Sequence, residues 1–193
     1  MILQKKLGRV TLNPFKHIDR FGTVILPLLL IVMKSPFIFG WAKPVPVKFY
    51  RLKNPLRDMI IVAIAGPVTN VVLAFVAASI LSIMHNFALL DNPWLVRTLA
   101  NFFFINIILA VFNMIPIPPL DGGRVAVGLL PQPLSYQLAR LERYGFFIII
   151  AALFVLPLIG KKIGITLEPI HWFIQSVSSF LISIIAFITG LQI

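Results

Sequence analysis

From Met59 to Met84 the chain runs without a charged residue. At about 1.5 Å per residue, such a run is long enough to cross a hydrocarbon layer about 30 Å thick. Inside that layer a backbone must satisfy its own hydrogen bonds, which a helix does within a single segment. Four more apolar segments accompany it: Gly22 to Phe39, Leu95 to Ile115, Tyr144 to Ile159 and Trp172 to Ile188. The first is broken by Pro27, Lys34 and Pro36, so it either spans with basic residues on both sides or is re-entrant. Hydrophobic residues make up 59% of the chain, against about 45–50% in a soluble domain. The expected fold is all-α: a polytopic transmembrane helical bundle of about four to five membrane segments. Residues 1–193 form a single membrane domain in this reading.

Charge supports the same reading. The net charge is +11, and the basic residues flank the apolar runs: Lys5, Lys6, Arg9, Lys16 and Arg20, then Lys43, Lys48, Arg51, Lys53 and Arg57. Cytoplasmic loops of membrane proteins carry such charge beside anionic headgroups. A stripe of basic residues interleaved with aromatics is missing, so nucleic acid is not an expected partner; the lipid bilayer is. The loop from His85 to Pro93 has no Lys or Arg, whereas Arg124, Arg140 and Arg143 follow the third segment. This places the start of the second segment and the end of the third in the cytoplasm. There is no cysteine, hence neither disulfide nor thiolate metal site.

Two stretches carry polar chemistry. In "VAIAGPVTN", Val62 to Asn70, Ala63, Ala65 and Gly66 permit close helix contact. Pro67 removes a backbone donor, and Asn70 follows about one turn later. Asn70 either bonds across a packing interface or faces a polar cavity. In "FNMIPIPPLDGGR", Phe112 to Arg124, Pro116, Pro118 and Pro119 forbid regular helix after Ile115. Asp121 comes next, an ionisable group inside or at the edge of a bilayer, which marks a functional site by default. The plain alternative is a turn, with Asp121 capping a helix from Gly123 to Leu130. Beyond it, Leu134, Leu138 and Leu141 with Arg140 and Arg143 read as a short amphipathic helix on the membrane surface.

Together these stretches resemble the site-2 protease family. "FNMIPIPPLDGGR" looks like that family's membrane-embedded Asn…Pro…Asp-Gly signature, and "VAIAGPVTN" is similar to its Gly-Pro…Asn helix. "GRVTLNPFKHIDRFGT" (Gly8 to Thr23) and "FGWAKPVPV" (Phe39 to Val47) resemble its short bacterial branch. The resemblance implies an intramembrane zinc metalloprotease that hydrolyses peptide bonds of membrane-spanning substrates. It implies Asp121 as a zinc ligand, Asn70 at the oxyanion or positioning substrate, and Asn113 positioning substrate or its loop. It also implies Gly66, Pro67, Pro116, Pro119, Gly122 and Gly123 as structural residues at the site. Gly122 and Gly123 would let the backbone pass close to the metal. Pro44 and Pro46 hold an extended segment that either pairs with an unwound substrate or forms a stiff basic linker.

The family takes its other two zinc ligands and its general base from an H-E-x-x-H helix, and this sequence has none. Its histidines, His17, His85 and His171, are not followed by Glu. The expectation is therefore an N-terminally truncated form that cannot hold zinc alone. Residues 1–124 are read as the protease-like core without its first helices. Residues 125–193 are read as a cytoplasmic connector and two membrane helices. The alternative is a catalytically inactive membrane-embedded binding or regulatory protein. A third class is a small transporter with Asp121 and Asn70 along a polar path. The expected location is integral to a bacterial cytoplasmic membrane.

Overall fold

A computed structural model of the protein describes residues 20–32, 54–87 and 92–192. The chain forms two compact units, Met1–Arg51 and Leu52–Ile193. In the first, a π-helical stretch, Arg20–Ile25, leads into α1, Leu26–Val32. Leu28, Leu29, Ile31 and Val32 are exposed on it. The blocks around Gly8 and Pro44, His17 and the rest of the first apolar segment lie outside the described residues.

The second unit is helical throughout its described length, and no strand occurs among the described residues. Helix α2 runs Pro55–Asn86 and α3 runs Pro93–Asn113. Short helices α4, Asp121–Leu129, and α5, Leu134–Arg140, follow. Two further apolar helices close the unit: α6, Gly145–Ile163, and α7, Pro169–Thr189. A π-helical turn, Ala151–Val155, interrupts α6. Helices α2, α3, α6 and α7 are each long and apolar enough to cross a membrane.

Local chemistry explains where the elements begin. Pro55 and Pro93 open α2 and α3, where a missing amide costs nothing. The Leu95 amide donates to Asn92 Oδ1 at 3.2 Å, satisfying one orphan donor of α3. Helix α2 continues unbroken through Pro67. Helix α3 stops at Asn113, and Met114 to Leu120 is irregular, as three prolines in four residues require.

The core is a three-helix seam. Ala74, Ala77 and Ala78 of α2 pack on Phe103, Ile107 and Val111 of α3 and on Ile185 of α7. Small residues on α2 let its neighbours approach closely, the usual device where lipid removes the hydrophobic drive for helix pairing. Outward residues such as Val62, Val72, Ile83, Ile105 and Ile108 are apolar and exposed, which suits lipid contact. The protein is therefore an integral membrane helical bundle.

Candidate active site

The proline loop folds back on the helix it introduces. A Cβ on Gly122 would overlap the Met114 carbonyl, and one on Gly123 would overlap the Ile117–Pro118 peptide. A Cβ on Gly145 would overlap the Pro118 carbonyl. Three glycines thus let the backbone of Met114–Leu120 lie directly against α4 and the start of α6. Pro118 is fully buried in this packing, whereas Pro116 and Pro119 are exposed.

That packing sets the direction of Asp121. The residue opens α4; Leu120 precedes it as the cap and makes no side-chain cap bond. The capping alternative with a helix from Gly123 is therefore replaced by a helix in which Asp121 itself is the first residue. A first-turn carboxylate is favoured by the positive end of the helix. Arg124 follows it within the first turn of α4. Arg124 Nη2 also lies 3.6 Å from Glu142 Oε1, tying α4 to the turn after α5. Ser135 Oγ donates to the Val127 carbonyl at 2.6 Å, a second tie between α4 and α5.

The carboxylate points at α2. A Cβ on Gly66 would stand 3.2 Å from Asp121 Oδ2, and a Cβ on Gly128 would press on the Ile60 side chain. Helix α4 therefore runs antiparallel to the first turns of α2, with Asp121 at Gly66 and Gly128 at Ile60. Gly66 lies nine residues past Arg57, or about 13 Å along the helix. With Arg57 at the headgroups, the carboxylate stands well inside a layer about 30 Å thick.

The other expected residues fall around this point. Pro67 is buried and Asn70 is half-buried. Asn70 is four residues beyond Gly66, on the same helix face. Asn113 ends α3 and is half-buried. A wholly apolar cleft of about 330 Å³ adjoins them, lined by Ile64, Pro67, Val68, Met114, Val177 and Leu181 among others. His85 sits at the far end of α2, and His171 at the start of α7 beside Glu168 and Gln175. Among the described residues, no three His, Cys, Asp or Glu side chains gather to hold a metal.

Two residues escape sequence reasoning. Gly145 supports the proline loop as closely as Gly122 and Gly123 do, yet it stands 22 residues past Gly123 in the chain. Asn106 is the buried amide of α3; its Nδ2 donates to the Phe102 carbonyl at 2.8 Å, so its own helix satisfies it. The only available signal for Asn106 was an amide within an apolar run.

Comparison with known proteins points to one family. The model of "Peptidase family M50" matches residues 80–156, which include Asp121 and the proline loop. "Putative zinc metalloprotease YwhC" of Bacillus subtilis is 41% identical over 158 residues, covering 80% of this chain and 68% of that protein. Rip2 of Mycolicibacterium smegmatis, of the same designation, is 29% identical over 179 residues, or 91% of this chain and 64% of that protein. MJ0611 of Methanocaldococcus jannaschii, likewise designated, is 38% identical over 121 residues, or 63% and 59%. The chain thus spans about two thirds or less of the length of these relatives. No solved structure matches it.

Proposed function

The chain belongs to peptidase family M50, the site-2 proteases, and on that premise we propose that it serves the hydrolysis of peptide bonds in membrane-spanning substrates. The observation that carries this reading is the approach of Asp121 Oδ2 to Gly66. It joins the Gly-Pro…Asn block to the Asp-Gly block, 55 residues apart in the chain, at a depth where a carboxylate without a task is costly. The membrane concerned, in this reading, is a bacterial cytoplasmic membrane.

The relatives are named for zinc. Catalytic zinc takes three protein ligands and leaves one position open. Asp121 is one such ligand in type, but the described residues do not complete the set, so they do not by themselves fit the metal. The remaining roles belong to the chain's own groups. Asp121 contributes a carboxyl group that faces Gly66. The amides of Asn70 and Asn113 donate hydrogen bonds to a substrate carbonyl. The missing side chain at Gly66 leaves room beside the carboxylate, and the cleft at Pro67 is apolar.

The incomplete ligand set also favours a second reading, a membrane-embedded protein that binds such substrates without cutting them. One experiment separates the two. The chain is reconstituted in vesicles with zinc and a synthetic transmembrane peptide, and the products are followed by mass spectrometry. Cleavage that falls at least about a hundredfold in Asp121→Asn supports the protease reading. Capture of the intact peptide without cleavage supports the binding protein. Cleavage unaffected by Asp121→Asn overturns the role given to that carboxylate.

A further inference from the structure

Helix α6 is long and apolar enough to cross a membrane, but its neighbours leave it no room to do so. The constraint comes from α7. Val177 and Leu181 line one cleft with Pro67, Val68 and Val71, whereas Leu191 lines another with Leu81 and His85. A Cβ on Gly190 would stand 3.8 Å from Ser82 Oγ. Residue numbers rise together along the pair, so α7 runs parallel to α2. Each α7 residue is level with the α2 residue about 110 positions earlier, which is the alignment of two helices of equal rise. Pro169 is therefore level with Met59, at the Pro55 end of the bundle.

The start of α6 is at the same end. Gly145 lies on Pro118, Pro118 lies on Gly123, and α4 is flanked by Gly66 and Ile60. Gly145 and Pro169 thus begin within about 10 Å of one another along the bundle axis. Between them stand 19 helical residues and the five-residue link Gly164–Glu168. A helix crossing toward the Asn86 end would carry Ile163 about 28 Å away. Five linking residues span about 18 Å fully extended. This link is not extended: Gly164 takes a left-handed φ of 74°, and the Ile165 amide bonds the Gly160 carbonyl at 3.0 Å. Moreover, Leu156 shares a cleft with Pro169 and Trp172, and the main packing of α6 on α7 is through its turn Ala151–Val155. The two helices cross at one place and do not run side by side.

Charge gives an independent argument. In the described part of this unit the basic residues are Arg57, Arg97, Arg124, Arg140, Arg143, Lys161 and Lys162. If α6 crossed, Lys161 and Lys162 would join Arg97 at the far side. If it does not, every one except Arg97 lies at the Pro55 end, as the positive-inside rule requires.

We propose that α6 lies within the leaflet at the Pro55 end, its exposed Phe146, Phe147, Ile150, Phe154 and Leu158 on acyl chains and its Lys161 and Lys162 at anionic headgroups. Consequently α7 crosses in the same direction as α2, and Gln192 emerges beside Asn86.

The absence of cysteine makes the test direct. Single cysteines at Arg57, Asn86, Lys162 and Gln192 are labelled in sealed vesicles with a membrane-impermeant maleimide. The expected pattern pairs Lys162→Cys with Arg57→Cys on one side, and Gln192→Cys with Asn86→Cys on the other. Each is labelled at least about tenfold faster from its own side. If Lys162→Cys labels with Asn86→Cys, or Gln192→Cys labels with Arg57→Cys, the proposal is overturned.

Discussion

Glycine does different work at different positions around the proline loop. At Gly122, Gly123 and Gly145 the space for a Cβ is already filled by backbone, which cannot move without unseating the loop. At Gly128 the nearest atoms are the far end of the Ile60 side chain, which can rotate. Alanine at any of the first three should lower stability by about 1–3 kcal/mol, the usual cost of overpacking. Alanine at Gly128 should cost less than each of them. Thermal unfolding in detergent micelles ranks the four variants, and an equal loss at Gly128 would contradict the packing described. Asp121 was legible as an unusual carboxylate because an ionisable residue beside prolines at membrane depth is rare. Its partner was not legible: nothing in "AGPVTN" announces that Gly66 faces a residue 55 positions later. Gly122 and Gly123 were legible as sites of close approach, but the neighbour given by the structure is the loop's own peptide group.

At the scale of elements, the long apolar runs identified α2, α3 and α7, and the prolines identified the end of α3. The starts lie two to four residues earlier than expected, because apolar runs mark what is buried in lipid while helices begin at their caps; the end of α3 falls two residues before Ile115. Helices α2 and α3 both open with Asn-Pro, Asn54-Pro55 and Asn92-Pro93, a start signal that an apolar count passes over. The two caps differ. Asn92 accepts the Leu95 amide, whereas Asn54 makes no side-chain cap bond. Replacing Asn92 with alanine should therefore cost about 1 kcal/mol, and replacing Asn54 clearly less. Unfolding midpoints of the two variants check the difference, and an equal cost would contradict it. Of the reading around Leu134 to Arg143 the helix itself is present, as Leu134–Arg140 and the 3₁₀ turn Leu141–Arg143.

For the whole molecule, apolar length indicates what a helix can do in a bilayer, and packing decides what it does. Helices α3 and α6 are comparable in composition, yet α3 runs antiparallel along α2 while α6 meets α7 at a single place. Crossing direction depends on long-range contacts such as Gly190 with Ser82 and Gly145 with Pro118, which no local pattern encodes. The same long-range packing brings the two family motifs to one point, and on that point the functional reading rests. The most direct measurement is a disulfide trap between them in the otherwise cysteine-free chain. With cysteines at Gly66 and Asp121, mild oxidation in membranes should form the intramolecular bond well above the control, since a Cβ on Gly66 would stand 3.2 Å from Asp121 Oδ2. A control pair at His85 and Asp121 should stay reduced. If the first pair forms no more disulfide than the control, Asp121 does not face Gly66, and the account of a shared site fails.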